Sequence, residues 1–270
     1  MTSKVSFIAN LAYQIFHHYS VRANKVFPEI YQSICDDIEL SSKNTEIPNL
    51  SEKLSSLFKI LKSLSLKDIG YSEDLLRESL ISSAPVLYVH IMENEVFSMG
   101  LFILRAGSRI PLHDHPDMYG IIKVLSGSIR CKSYNRISTS KVRKKDAEKS
   151  WQISDVIATQ ISLDSILSVE NKLCLLTPLE GNLHELTAID GPAIFLDILA
   201  PPYDHDLGTR ECKFYKEINQ PNISQEIYNE LSDGKELTDG QESNSFVYIM
   251  ETPQPKDYWC KSIQYDGPSH

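Results

Sequence analysis

From Val86 onward the chain is written in short, apolar, β-branched runs separated by turn residues, a pattern that restricts it to a small antiparallel barrel or sandwich. The runs fall at 86–91, 96–104, 119–125, 128–134, 173–177 and 193–199, with breaks at Gly107 and Ser126-Gly127. One short segment in this region carries chemistry: Gly107-Ser-Arg-Ile-Pro-Leu-His113-Asp114-His115. Histidines two residues apart on a strand point to one face and can grip one metal ion, whereas Asp114 between them points away.

The third ligand has to come from elsewhere. His184 follows a Pro/Gly turn, Thr177-Pro-Leu-Glu-Gly181-Asn-Leu-His184, and opens a strand leading through Ile189 to Gly191. Pairing across a closed sheet brings such a residue to the His-x-His pair. His17 and His18 lie in a helical segment, His205 in a polar loop and His270 at the terminus. His90 sits on an early strand, where a lone histidine reads as hydrogen-bonded scaffold. Imidazole ligands by themselves leave zinc, nickel, copper and iron open.

The first third reads helical. An N-terminal helix built on Ile8, Leu11 and Ile15 is followed by a candidate near Pro28 to Leu40. A third carries Leu50, Leu54, Leu57, Phe58 and Leu61 on one stripe, with Ser51 or Asn49 as its cap. The first 28 residues hold Lys4, Arg22 and Lys25 but no acid, a pattern shared by mitochondrial transit peptides and by docked amphipathic helices. The polar stretch 138–170, with Lys141-Val-Arg-Lys-Lys145, reads as a solvated excursion. The chain thus divides into a helical segment, 1–84, packed on a barrel domain, 85–270, that carries this loop and a C-terminal extension.

Charge limits the partners. A net charge of -9 without a dominant basic block argues against nucleic acid and anionic membranes and leaves small molecules or peptides. No run approaches the roughly 18–20 apolar residues of a membrane span. Five cysteines, odd in number and without a Cys-x-x-Cys pair, read as reduced thiols of an intracellular, cytoplasmic protein, with a mitochondrial or nuclear fraction left open. The chain is expected to be a monomer, since no long exposed apolar seam is evident.

Gly107-x5-His113-x-His115-x4-Gly120-x6-Gly127 resembles the first cupin motif, and Gly181-x2-His184 the second half of its partner motif. Where most cupins place a glutamate ligand, this chain has Gly120. Three longer blocks, 110–125, 191–204 and Glu251-Thr-Pro-Gln with Trp259-Cys, resemble the family of 2-aminoethanethiol (cysteamine) dioxygenases and plant cysteine oxidases. The resemblance implies a mainly β, cupin-like double-stranded β-helix (jelly-roll) barrel with N-terminal helices outside. It also implies one Fe(II) per chain on His113, His115 and His184, and oxidation by O2 of cysteamine or a protein N-terminal cysteine to the sulfinate. Such an activity would link protein lifetime to oxygen through an arginylation-dependent route, and an apparent Km for oxygen far below tissue levels would contradict that role.

The resemblance further places Asp197 near the iron. There it fixes a ligand or the substrate amine, or else is a buried aspartate satisfied by backbone. Tyr119 and Tyr203 either line the pocket or pack. Cys212 matches a residue that cross-links to a tyrosine two positions on in animal relatives; Phe214 stands there in this chain, so that cross-link cannot form. Another metal-dependent cupin enzyme and a non-catalytic metal-binding cupin are the competing readings.

Overall fold

The computed structural model describes residues 3–19, 48–71, 77, 81–138, 156–170, 173–204, 207–218 and 246–268. The candidate helix at 28–40, the basic run at 141–145, Cys35, His205 and His270 lie outside them. Among the described residues, two α-helices, α1 (Lys4–Tyr19) and α2 (Pro48–Lys62), and a 3-10 turn (Leu66–Ile69) precede ten strands. These are β1 (Val86–Glu93), β2 (Ser98–Leu104), β3 (Arg109–His113), β4 (Tyr119–Ser138), β5 (Val156–Ser168), β6 (Cys174–Leu176), β7 (Leu183–Ala200), β8 (Phe214–Ile218), β9 (Phe246–Thr252) and β10 (Cys260–Ile263).

The sheet runs β10-β1-β2-β7-β3-β8-β9-β5-β4-β6, and a further pairing of β7 with β4 closes six strands, β7-β3-β8-β9-β5-β4, into a ring. This is the cupin-like β-barrel expected from the sequence. Closure depends on β4 and β7, which are long, bent and paired along their length. The first half of β7 lies between β3 and β4, the second half between β2 and β4. The bend occurs where the register slips around Ser126 and where Asp190 and Gly191 take positive φ. Gly127 (φ 70°) is required there, because a Cβ on it would lie 2.3 Å from the Pro192 carbonyl oxygen.

Alternation then sorts the side chains. Ile122, Val124, Ile129, Cys131, Leu186 and Phe195 face the barrel interior and pack together. Ile121, Leu125, Ile194, Leu196 and Ile198 face outward and are covered by the helices. The stripe Leu50, Leu54, Leu57, Phe58 and Leu61 is fully buried against this outer face, as are Val5, Ile8, Ala12, Ile15 and Phe16 of α1. Each of the Val, Leu, Ile and Phe side chains among these contributes about 1.5–3 kcal/mol. Within the acid-free N-terminus, Lys4–Tyr19 therefore form a docked amphipathic helix.

Three local expectations change. Asn49 and Ser51 lie inside α2 rather than capping it, because the helix begins at Pro48, where a missing N–H costs nothing in the first turn. Within 138–170, residues Val156–Ser168 form β5 rather than a solvated excursion. Its polar residues belong to a strand with one wet face, paired to β4 and β9 and tied by the two-pronged Arg130–Asp164 ion pair. The "C-terminal extension" supplies β9 to the barrel and β10 to the edge of β1.

Candidate metal centre

The His-x-His segment is delivered by β3, which ends at His113, so His115 lies beyond the strand and is oriented by a loop. The loop is held from across the barrel. Asn182 Oδ1 accepts from the His115 backbone N–H (3.2 Å), and its Nδ2 donates to the His115 carbonyl (2.6 Å) and to that of Thr177 (3.1 Å). Two residues later β7 presents His184, directly opposite His113 in the register.

The three imidazoles meet inside the barrel. Their ring centroids are 4.7, 4.7 and 4.8 Å apart, and their ligand atoms all lie within 4.8 Å of one another. They are 7 %, 1 % and 3 % exposed for His113, His115 and His184. Burial holds all three pKa values below the ordinary histidine value, well below it for His115 and His184, where the neighbouring imidazoles add to the effect. They are therefore neutral, the form that binds metal.

Two are also fixed in tautomer. His113 Nδ1–H donates to the Pro111 carbonyl (2.8 Å) and His115 Nδ1–H to the Asn182 carbonyl (3.1 Å), which leaves each Nε2 lone pair free. The donor set thus fits a first-row divalent metal. Among the described residues no carboxylate joins the group.

Asp114 points away, as alternation requires. Its carboxylate accepts from Arg136 Nη2 (2.8 Å), the Tyr215 hydroxyl (2.8 Å) and the Lys213 backbone N–H (3.0 Å). This buried hub ties β4 and β8 to the ligand loop. Asp114→Ala strands Tyr215 and Arg136, the latter partly solvated, and is expected to cost about 3 kcal/mol, read as a lower midpoint in denaturant melts of metal-free protein.

Tyr203 borders the centre, with its ring 5.6 Å from that of His115 and its hydroxyl donating to the Asp114 carbonyl (2.7 Å). It also lines a cavity of about 300 Å³ that includes Tyr88, Gly100, Phe102 and Asp197. Asp197 is 9 % exposed, and its Oδ1 has no hydrogen-bond partner. The backbone-satisfied reading of this residue is thus not what the structure holds. Burial pushes its carboxyl up to about 7. Gly100, opposite Asp197 in the register, is what lets the Tyr88 ring lie across β2: a Cβ there would come within 2.4 Å of that ring.

Tyr119 is not brought to the histidines. It lies in the outer core with Ile121 and Leu125, its ring 6.2 Å from Phe16 of α1, because it shares their strand parity. Cys212 hydrogen-bonds with Tyr203 and is pushed up to about 12 by burial, so it stays a thiol. Phe214, two positions after Cys212, packs 6.4 Å from the His113 ring. His90 neither joins the ligands nor is buried as scaffold; it is exposed at the cavity wall.

Asn182 and Tyr88 went unnoticed in the sequence reading. The only signal for Asn182 was its place after Gly181 in the turn before His184; for Tyr88 it was strand parity with Phe102 across β1 and β2. Asn182→Ala frees the His115 loop and is expected to weaken metal binding roughly 10–100-fold, measured by competition with a chelator, with all three imidazoles retained.

The family model PCO_ADO matches residues 60–270. A 2-aminoethanethiol dioxygenase of Mus musculus is 34% identical over 251 residues, covering 88% of this chain and 94% of its own. The Homo sapiens 2-aminoethanethiol dioxygenase is 33% identical over 233 residues, with 82% of each chain covered. Plant cysteine oxidase 1 of Arabidopsis thaliana is 28% identical over 232 residues, 83% of this chain and 73% of the plant protein.

Proposed function

The chain belongs to the PCO_ADO family, and from that premise we propose that it is a non-haem iron thiol dioxygenase acting on small aminothiols, on N-terminal cysteines, or on both. One observation carries the reading: three buried, neutral imidazoles with no carboxylate among them, bordered through Tyr203 by a cavity in which Asp197 keeps an unpaired oxygen. His113, His115 and His184 would hold Fe(II). Bound there, Fe(II) supplies the positions at which a thiol is deprotonated and O2 is activated.

The residues divide the remaining work. As three neutral ligands, the imidazoles would leave the charge of a bound divalent metal uncompensated, a setting that would favour the thiolate form of a thiol whose free pKa is about 8.5. Asp197 takes the substrate ammonium, and this cation restores its ionised form in a buried site. Tyr203 holds the Asp114–His115 backbone in place beside the reacting sulfur. Tyr88 and Phe102 close the cavity wall and keep water from the thiolate. The reaction is R–SH + O2 → R–SO2H, with both oxygen atoms on sulfur and no external reductant.

Metal dependence tests this against a zinc or manganese cupin and a binding-only cupin. Metal-free protein reloaded with Fe(II), Zn(II), Mn(II) or Ni(II) is incubated in air with cysteamine and, separately, with a Cys-initiated peptide, and the sulfinate is counted. Turnover with Fe(II) alone is expected; turnover with Zn(II), or with none, would overturn the assignment.

A further inference from the structure

The cavity beside the metal centre continues past Asp197 to an outer rim on β1, and the backbone there departs from regular pairing. His90 lies opposite Gly100, but Met92 lies opposite Met99 and Glu93 opposite Ser98, so one extra residue is accommodated at Ile91. Without this bulge Glu93, three residues after His90, would point to the opposite face. With it, Glu93 shares the face of Tyr88, His90 and Asp197 and lines the cavity.

Glu93 is also well anchored. It closes the β1–β2 hairpin against Ser98, and Asn94 fixes the turn: its Oδ1 accepts from Val96 N (2.9 Å) and Phe97 N (3.1 Å), and its own N–H donates to the Phe97 carbonyl (3.0 Å). An exposed strand glutamate is ordinarily a solvated charge. Here it stands over a concave site whose other carboxylate, Asp197, is buried with an unpaired Oδ1, and among the described residues no lysine or arginine lines that site. Lys261, the nearest cation on β10, alternates away from Cys260 and Ser262, which do line it.

The register gives the spacing. Asp197 and Glu93 are separated by two strand spacings and by two residues along β2, which places their Cα atoms about 12 Å apart. An N-terminal cysteine with its ammonium at Asp197 extends at about 3.3–3.6 Å per residue, so the side chain of the second or third residue reaches Glu93. Cysteamine ends at Asp197.

We infer that Glu93 is a specificity-determining residue that selects Cys-initiated peptides carrying a lysine or arginine at the second or third position. This deepens the thiol dioxygenase reading and rests on it. The pair forms at a wet rim, so attraction of lysine and repulsion of glutamate together amount to about fivefold in kcat/KM.

The test compares Cys-Lys-Gly-Gly, Cys-Gly-Lys-Gly, Cys-Gly-Gly-Gly and Cys-Glu-Gly-Gly as substrates of the Fe(II)-loaded protein and its Glu93→Gln and Glu93→Lys variants. The same peptides, fluorescently labelled at the C-terminus, are titrated under nitrogen to read binding without turnover. The expected result is a lysine preference in the parent, its loss in Glu93→Gln and its inversion in Glu93→Lys, in both binding and turnover. A preference identical in all three proteins would overturn the inference. Cysteamine oxidation in the same samples separates the two levels of the argument. Absence of oxidation of cysteamine and of every peptide in the parent would defeat the dioxygenase reading, whereas oxidation with an unaltered peptide preference would defeat only the role of Glu93.

Discussion

His184→Ala is expected to abolish metal retention and lower thiol oxidation by more than about 100-fold, beyond the roughly 10–100-fold typical of residues that only orient ligands. His184 stands opposite His113 across the β3–β7 pair, and among the described residues no carboxylate joins the site to take its place. The other two imidazoles remain locked through Nδ1 to Pro111 and Asn182, so the variant keeps a two-point site of the right shape but one donor short. Replacement of a neutral imidazole by a methyl group removes no buried charge, and the barrel is expected to persist. Metal content by elemental analysis after dialysis, together with far-UV circular dichroism, checks both halves. Full iron occupancy in a folded variant would contradict the assignment.

The second large effect combines activity and pH. Asp197 carries an unpaired, buried Oδ1, with its carboxyl raised from 3.8 to about 7. A group whose folded-state pKa lies above its unfolded value stabilises the fold fully below the unfolded pKa, and that contribution is lost as pH rises through the folded value. Metal-free protein is therefore expected to lose on the order of 4 kcal/mol relative to Asp197→Asn between pH 4 and pH 7. The asparagine has no such charge to bury. Denaturant melts of both proteins across this range measure the difference. If the two curves stay parallel, Asp197 is not the uncompensated acid described here.

In catalysis the same substitution should act in the opposite sense. Loss of the carboxylate removes a charge-assisted contact to the substrate ammonium, worth about 3 kcal/mol, so kcat/KM for cysteamine falls on the order of 100-fold. Oxidation of 2-mercaptoethanol, which lacks the amine, is expected to change little. A variant that is more stable at neutral pH yet poorer with aminothiols cannot be explained as a folding defect.

What the sequence made legible follows from the range of the interactions involved. The strands near the His-x-His pair and the apolar stripes of α1 and α2 are local patterns, and each is found where periodicity placed it. The histidines were legible because motif residues carry them, and β7 brings His184 to the pair through strand pairing. β5 was not, because its exposed positions mix Gln160, Ser162, Asp164 and Ser165 with Ile161 and Ile166, so no clean alternation marks it, and one of its two partners, β9, lies far along the chain. The parallel pairing of Val86 with Cys260 spans most of the chain and leaves no local mark, which hid the cavity wall. Glu93 depended on a one-residue bulge that no alternation rule anticipates. Tyr119 is the instructive miss: with Gly120 and Ile122 assigned to the inner face, parity alone would have sent it outward.

The most direct test of the central claim is mass spectrometry of a Cys-initiated peptide after incubation of the Fe(II)-loaded protein under 18O2. The account predicts a single product that gains two labelled oxygen atoms on the cysteine sulfur. A product carrying one label or none, or a peptide recovered unchanged or as its disulfide, would contradict it.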